Sequence, residues 1–153
     1  MVKITADQIK KLRLMTKVGV MDCRKALQES NGDFAKAQNW LLKKGAALAD
    51  KKKDRATKSG IIESYIHAGG GIGVLVKLSC ETDFVAKNED FKNLAHELAM
   101  QVAAMNPKNI KELLEQEYIR DPKKKTGDLL TEVIGKIREN IKVGRIARFE
   151  LGE

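Results

Sequence analysis

The residues best suited to bind a metal ion are two cysteines and two histidines, which are scattered along the chain. They are Cys23, His67, Cys80 and His96. A structural zinc site takes its ligands in close pairs, and this spacing provides none. Cys23 lies on the apolar side of a predicted helix and Cys80 ends an apolar strand, so we expect both to be small buried residues. His96 fits an ordinary surface histidine. We predict no metal site and no cofactor.

A second candidate for a chemical role is the glycine cluster at 69–73, in which four of the five residues are glycine. A phosphate loop opens a helix, whose N–H groups hold the anion. Here the alternating apolar residues of a strand follow, and no Gly-Lys-Ser/Thr ending is present. We therefore expect a hairpin turn. No Ser–His–Asp or Cys–His arrangement is recognisable and no pair of carboxylates stands out, so nothing in the pattern indicates an enzyme.

The segment Glu81–Asp90 joins an apolar strand to a long amphipathic helix and holds an aromatic residue that fits neither pattern. This residue, Phe84, follows the strand and precedes the helical stripe. An aromatic side chain on a turn between rigid elements is a good anchor for a pocket of another protein. Asp83 beside it can hydrogen-bond a partner or cap a helical turn. Two interpretations stay open: a partner-binding side chain, or a phenylalanine at the edge of the core with a capping aspartate.

The positive charge of the chain is concentrated in its first third. The 153 residues include 29 Lys and Arg against 21 Asp and Glu, a net charge of +8. Residues 1–58 hold 15 basic and 6 acidic residues, which gives +9, and the rest of the chain has −1. A basic module joined to a neutral body differs from a uniformly basic nucleic-acid binder. Salt-dependent RNA binding through residues 43–58 nevertheless stays open as an alternative.

Composition excludes several classes of protein. Hydrophobic residues make up 42% of the chain and charged residues 33%, which is typical of a globular protein. No apolar run approaches the ~18 residues of a membrane helix. Residues 1–15 hold no apolar stretch of the secretory type, and two cysteines do not make a disulfide framework. We expect a cytoplasmic protein that does not bind a membrane.

Residues 1–45 predict a three-helix N-terminal module. Thr5 and Gln8 have capping-box spacing, Asp22 is expected to cap the second helix, and Asn31–Asp33 combines a stop with a new cap. The apolar stripes of the three helices are Ile9, Leu12 and Met15, then Cys23, Ala26 and Leu27, then Phe34, Ala37, Trp40 and Leu41. Phe34 and Trp40 lie in a stripe, so we assign them to the core rather than to a base-stacking surface.

Residues 46–60 lose the apolar periodicity and gain charge, so we predict a basic linker there. Alanine and lysine favour helix, and the linker should be helical at least in part. A solvated connector and a phosphate-binding patch are the two interpretations of its charge.

Residues 61–153 predict an α+β core. The pattern indicates a hairpin over 61–80, a long helix from 88 to 106 and a short helix near 110–114. A charged loop at 120–125 then precedes a helix capped by Thr126 or Asp128. The tail 142–151 alternates again and is expected to add a strand to the hairpin. The predicted fold class is α+β, with helices covering a small antiparallel sheet.

Several motifs resemble the translation elongation factor Ts family, the guanine-nucleotide exchange factors of elongation factor Tu. The motifs are Thr82–Ala86, which is similar to the family's Thr-Asp-Phe-Val signature, Val20–Leu27 with Asn31–Asp33, Ser64–His67 with Gly73–Val76, and Arg145–Glu153. They follow one another in the family's order and span nearly the whole chain. The resemblance implies a ubiquitin-associated-like fold for the N-terminal module.

The resemblance also implies where the partner binds. In this family an Asp-Phe pair enters the G domain of elongation factor Tu and disturbs its magnesium and phosphate sites. Asp83 and Phe84, flanked by Thr82 and Val85, match those positions. The implied mechanism is binding linkage without covalent catalysis, and it needs no metal or cofactor of the factor's own.

Further partner contacts are implied outside this segment. The N-terminal module of the family also touches the G domain, and by position its contact residues here are Leu12, Val20 and Met21. His67 matches a core histidine that is linked with the partner's third domain in some members.

The chain departs from the family pattern in two respects. Only a short charged connection lies between Leu114 and Leu129, where members commonly carry a longer insertion with a helical hairpin. The body also holds one core unit where longer members hold two related ones. We therefore expect a homodimer formed through the sheet.

Overall fold

The computed structural model describes residues 2–153 and confirms the α+β class. Its helices are α1 (Ala6–Thr16), α2 (Val20–Glu29), α3 (Phe34–Lys52), α4 (Asp83–Ala86), α5 (Glu89–Met105), α6 (Ile110–Glu115) and α7 (Thr126–Ile137). Its strands are β1 (Ser59–Ile66), β2 (Ile72–Cys80), β3 (Glu117–Tyr118), β4 (Asp121–Lys125) and β5 (Ile141–Glu150).

Helices α1, α2 and α3 form the predicted N-terminal bundle. The capping box of Thr5 and Gln8 is present, and the Asp33 side chain accepts a hydrogen bond from the Lys36 N–H at the start of α3. The prediction for Asp22 was wrong, because α2 begins after Gly19 and Asp22 lies inside its first turn. The buried core of the bundle consists of Leu12, Cys23, Ala26, Leu27, Ala37 and Leu41, with Phe34 and Trp40 packed against it.

Helix α3 crosses residue 45, where we placed the boundary between module and linker, without a break. A Cβ atom on Gly45 would lie 2.9 Å from the backbone oxygen of Thr131, so α3 and α7 approach each other at backbone distance. Leu48 and Ala49 pack against the core of the body. Residues 46–52 of the predicted linker are therefore part of a packed helix and not a solvated connector. Because Gly45 has no side chain, α3 can lie directly against α7.

The main sheet has three antiparallel strands in the order β1-β2-β5, as the sequence predicted. Strand β1 pairs with β2 from Ser59 opposite Cys80 to Ile66 opposite Gly73. The hairpin turns through Gly69 and Gly70, whose φ angles of 89° and 74° suit glycine. Helix α5 packs on one face of the sheet. The largest fully buried side chains of this core are Phe91, Leu78, Leu98, Leu113, Val74, Val76 and Val102.

The charged loop predicted at 120–125 is a strand instead. Strand β4 pairs with β3, and the buried side chain of Gln101 on α5 holds this small sheet. Its Nε2 donates to the carbonyl of Glu117 at 3.0 Å, and its Oε1 accepts from the N–H of Ile119 at 3.0 Å. The prediction missed the strand because three consecutive lysines give no alternation, whereas the pairing depends on a glutamine about twenty residues away in sequence.

No helix within residues 2–153 is both long and apolar enough to cross a membrane.

Candidate functional site

Phe84 lies on the surface with 90% of its area exposed, which excludes a place at the edge of the core. It belongs to α4, a single helical turn between the central strand β2 and the long helix α5. The neighbouring Val85 and Ala86 are buried in the main core. Because these neighbours face inward, Phe84 faces outward on a turn that is pinned to the core.

The polar residues of this turn correct part of the sequence prediction. Thr82, and not Asp83, is the N-cap, and its side chain accepts from the Val85 N–H at 3.4 Å. Asp83 instead accepts a hydrogen bond from the Ser59 hydroxyl at 3.0 Å, which ties the turn to strand β1. Val85 is buried, so it supports the turn and does not offer a contact surface.

The turn is held from outside by Glu139, a residue that the sequence analysis missed. Its Oε1 accepts from the backbone N–H groups of Glu81 and Thr82 at 3.1 and 3.0 Å, and its Oε2 accepts from the Thr82 hydroxyl at 2.7 Å. The next residue, Asn140, donates its backbone N–H to Glu81 Oε1 at 2.8 Å. A run of three polar residues between a helix and a strand reads as an ordinary loop, so the sequence carried no signal for this role.

The N-terminal module presents apolar side chains at the turn between α1 and α2. Leu14, Met15, Val20 and Met21 are exposed there, and we call these four residues the α1–α2 surface. Val20 and Met21 are two of the three contact residues that the resemblance implies, and Met21 is 70% exposed. Leu12 is the third, and it is fully buried between the three helices. In this conformation Leu12 cannot reach a partner, because its place in the helical stripe turns it into the module core.

His67 lies at the opposite end of strand β1 from the Phe84 turn. Its Nδ1 is 3.1 Å from the hydroxyl of Tyr65, and its ring is exposed to solvent. Ser59, which contacts Asp83, is eight residues earlier, a distance of about 26 Å along a strand. The structure therefore does not bring His67 and Phe84 into one site.

A groove of about 570 Å³ runs between α3 and α7. Asp22 in its wall pairs with Lys44 at 2.5 Å and with Arg138 at 2.7 Å. Burial raises the pKa of Asp22, but the hydrogen bonds and charges of Lys44 and Arg138 outweigh it, so the pKa lies below its ordinary value. These pairs join α2 to α3 and to the end of α7, so the charges of the groove hold the module against the body.

The cysteines are buried and free, as expected. Burial, with the nearby charge of Glu139, raises the pKa of Cys80 to about 11, which keeps it in the unreactive thiol form at neutral pH. Among residues 2–153, no three His, Cys, Asp or Glu side chains come together in a way that could hold a metal ion.

Much of the positive charge in residues 43–58 is engaged within the chain. Lys44 pairs with Asp22, Lys53 with Asp50, and Arg55 with Glu81. Lys52 donates to the backbone carbonyl of Arg138. Four of the seven basic residues of this segment thus have a partner within the chain, so part of its positive charge is engaged without an RNA ligand.

The chain, including the segment that holds the Phe84 turn, is similar to proteins of one known family. A sequence model described as "Elongation factor TS" matches residues 81–153, a segment that begins at the turn. The chain is 46% identical over 197 aligned positions to the elongation factor Ts of Oleidesulfovibrio alaskensis, covering 99% of this chain and 100% of the relative. It is 45% identical over 194 positions to the elongation factor Ts of Thermotoga maritima, covering 99% and 98%.

The aligned lengths exceed the length of this chain. The alignments run over 194 to 197 positions, whereas this chain has 153 residues, so these relatives carry residues with no counterpart here. Similarity nevertheless extends over nearly all of both chains. The chain belongs to the elongation factor Ts family.

Proposed function

We propose that this protein is a guanine-nucleotide exchange factor that binds elongation factor Tu in its GDP form and promotes GDP release. The observation that supports this most strongly is Phe84, an aromatic side chain that is 90% exposed on a turn fixed to the core. Burying such a side chain in a partner's pocket yields a large gain of apolar contact. We expect it to act in the cytoplasm, where elongation takes place.

The proposed mechanism is a thermodynamic linkage in which this chain performs no covalent step. A factor that binds the nucleotide-free GTPase more tightly than the GDP form must weaken GDP binding by the same factor. Entry of Asp83 and Phe84 into the G domain would displace groups that order its Mg²⁺. The ion offsets the phosphate charge, so its loss raises the free energy of bound GDP and speeds release. GTP binding then expels the factor through the same coupling.

The rigid attachment of the turn favours this role. Ordering a flexible loop on binding consumes part of the interaction energy, whereas a turn that is already held spends that energy on the partner. Val85 and Ala86 anchor the turn in the core, and Glu139 fixes its backbone. Thr82 contributes as the cap of the turn and Asp83 as its exposed acidic group.

We propose the α1–α2 surface as a second contact with the G domain. Val20 and Met21 expose apolar area there, and Leu14 and Met15 extend it. Leu12 would act indirectly by holding α1 in place. His67, at the far end of β1, would contact a different domain of the partner because of its distance from Phe84.

The open face of the sheet supports the proposed homodimer. Ile62, Ile66, Leu75 and Phe149 are exposed there, with Phe149 at 74%. Gly73 pairs with Phe149 and Ser64 with Leu75 across the strands, so these side chains share one face. A two-fold contact places the same apolar face against itself.

Light scattering tests the proposed homodimer. The wild-type protein should have the mass of a dimer and the Phe149→Asp variant that of a monomer. A monomeric wild type would contradict the proposed homodimer.

The main experiment measures release of fluorescent GDP from elongation factor Tu. The wild-type protein should accelerate release, and its binding to elongation factor Tu should weaken as GDP is added. Phe84→Ala should lose at least about 100-fold of the acceleration, a cost of about 3 kcal/mol, because the residue inserted in the partner is gone. Its free energy of unfolding should change by less than about 0.5 kcal/mol, since Phe84 is exposed.

The matched control is Lys87→Ala, which changes an exposed residue directly after the same turn. It should retain most of the acceleration. A fully active Phe84→Ala variant would remove Phe84 from the mechanism, and a wild-type protein without effect on GDP release would refute the proposed function.

A further inference from the structure

The three residues between α7 and β5 contact both α2, which carries Val20 and Met21 of the α1–α2 surface, and the residues that lead into the Phe84 turn. We call Arg138, Glu139 and Asn140 the connector. Arg138 adopts a left-handed backbone conformation with φ 63° and ends α7. The turn of direction that follows places three consecutive side chains against three different segments of the chain.

Arg138 faces the N-terminal module. Its Nη2 donates to Asp22 Oδ2 at 2.7 Å, and Asp22 directly follows Met21 of the α1–α2 surface. Its backbone carbonyl accepts from Lys52 at the end of α3. The connector thus holds α2 by a side chain and α3 by a main-chain group.

Glu139 faces the Phe84 turn. One carboxylate accepts three hydrogen bonds, two from consecutive backbone N–H groups and one from the Thr82 hydroxyl. Hydrogen bonds to an ionised acceptor are about twice as strong as neutral ones. The Glu81 and Thr82 amides precede α4, so the carboxylate fixes the point where strand β2 ends and the turn begins.

Asn140 links the segment after α3 to Glu81, which precedes the Phe84 turn. Its Nδ2 donates to the carbonyls of Lys53 and Arg55 at 3.3 and 2.7 Å, and its backbone N–H donates to Glu81. Arg55 in turn lies 3.6 Å from the other carboxylate oxygen of Glu81. Asn140 is almost fully buried, so water cannot reach its amide, and these hydrogen bonds satisfy it instead.

We propose that the connector is a positioning element, with Glu139 as its central residue, that holds the Phe84 turn and the α1–α2 surface in one fixed relative geometry before the partner binds. The inference rests on the proposed function and adds residues that do not touch the partner. Two sites on one protein can bind a rigid partner at the same time only when their separation matches that of the corresponding sites on the partner. Because the connector fixes the turn in advance, the entropic cost of ordering the turn is not incurred during binding.

This role predicts that loss of the Glu139 carboxylate changes the concentration of factor needed for exchange much more than the maximal rate. Glu139→Ala leaves the Glu81 and Thr82 amides without their acceptor, so the turn loosens although Phe84 is still present. The concentration of factor that gives half-maximal acceleration of GDP release should rise about tenfold, because ordering is then required on binding. The maximal rate at saturating factor should change less than about twofold, since the docked state still contains Phe84.

Glu139→Gln is the conservative variant. Its amide oxygen can still accept from both backbone N–H groups, and its NH₂ can donate to the Thr82 hydroxyl. It should restore most of the wild-type half-maximal concentration. Glu132→Ala, on α7 and paired with Lys124, is the matched control for loss of a carboxylate. It should behave like the wild type.

Amide hydrogen exchange of the free protein separates this inference from the proposed function. Glu139→Ala should increase exchange at least about tenfold in residues 81–86, and neither Glu139→Gln nor Glu132→Ala should do so. Unchanged exchange in Glu139→Ala would overturn the inference, whatever happens with elongation factor Tu. Faster exchange with an unchanged half-maximal concentration would also overturn it. A wild-type protein that does not stimulate GDP release would refute the proposed function, and the positioning role in partner binding with it.

Arg138→Ala tests the module side, with Lys136→Ala as its control on the same helix. Arg138→Ala should raise the half-maximal concentration about threefold, a smaller effect because the Asp22–Arg138 pair is partly exposed and α3 still packs on α7. Equal effects of Arg138→Ala and Lys136→Ala would remove Arg138 from the connector.

Discussion

The two surfaces proposed for the G domain differ in how they are built. The Phe84 turn presents one aromatic side chain, and hydrogen bonds from strand β1 and from the connector hold the turn in place. The α1–α2 surface presents four aliphatic or methionine side chains on the ends of two helices. Aromatic anchors held on fixed turns suit insertion into a defined pocket, whereas flexible methionine-containing surfaces adapt their shape.

This difference assigns separate tasks to the two surfaces. An inserted aromatic residue can displace groups in the partner and thereby change the nucleotide affinity. A shallow apolar surface adds contact area, which stabilises the bound and transition states equally and changes affinity alone. We therefore expect the turn to set the maximal exchange rate and the α1–α2 surface to set the concentration needed.

The largest expected effect comes from the residue beneath the α1–α2 surface. Leu12→Ala should lower the free energy of unfolding by about 3 kcal/mol, because a fully buried leucine leaves a cavity in a small core. Leu14→Ala on the same helix should cost less than about 0.5 kcal/mol, since Leu14 is 71% exposed. Urea denaturation measures both. Equal costs would contradict the separation between the surface and its support.

The next effect concerns the contact that joins the module to the body. Gly45→Ala should lower the free energy of unfolding by about 2 kcal/mol, because the new Cβ would lie 2.9 Å from a backbone oxygen. Gly71→Ala is the control, since nothing lies within 4 Å of its Cβ position. Thermal unfolding of the two variants compares them. A stabilised Gly45→Ala variant would mean that α3 and α7 separate easily, and that the two surfaces are not held at a fixed distance.

Met21→Ser tests the contribution of the α1–α2 surface. It should raise the concentration for half-maximal GDP release about fivefold, or about 1 kcal/mol, by removing apolar contact area. The maximal rate should stay within about twofold of the wild type, in contrast to Phe84→Ala. A variant with a strongly reduced maximal rate would show that both surfaces act on the nucleotide site. Gln28→Ser, which changes an exposed residue near the other end of α2, serves as the control.

The smallest effect is a pH dependence that follows from Asp22. Its folded pKa is lowered, so the stabilisation is present above the unfolded value of about 3.9 and is lost as pH falls through the folded pKa. The difference in unfolding free energy between wild type and Asp22→Asn should therefore be present at pH 7 and shrink below about pH 4. A difference that grows on acidification would contradict the ion pairs with Lys44 and Arg138.

Local patterns predicted the elements that have local causes. The capping box at Thr5, the hairpin around Gly69 and Gly70 and the alternation of β5 all depend on neighbouring residues, and the structure confirms each. The exposure of Phe84 was one of two open interpretations, because a residue between two patterns has no periodicity of its own.

The contacts between segments distant in sequence were not predictable from these patterns. Helix α3 continues past residue 45 because α7, about 90 residues later, covers it. Asp22 joins α2 to α3 and Arg138 instead of capping α2, and Glu139 holds a turn that is nearly 60 residues away. Leu12 is a different case: its helical stripe predicts a core position, the resemblance alone assigns it to the partner surface, and the structure agrees with the stripe.

The hairpin tip offers a way to attach a probe to this protein at a single position. Both native cysteines are buried, and burial raises the pKa of each thiol, so maleimide reagents at neutral pH should spare them. A cysteine introduced by Gly71→Cys would stand in open space. The nine residues of β2 separate that position from the Phe84 turn by about 30 Å. A fluorophore there would report association without occupying the turn, and quenching on binding would reveal whether the partner reaches the His67 end of the sheet.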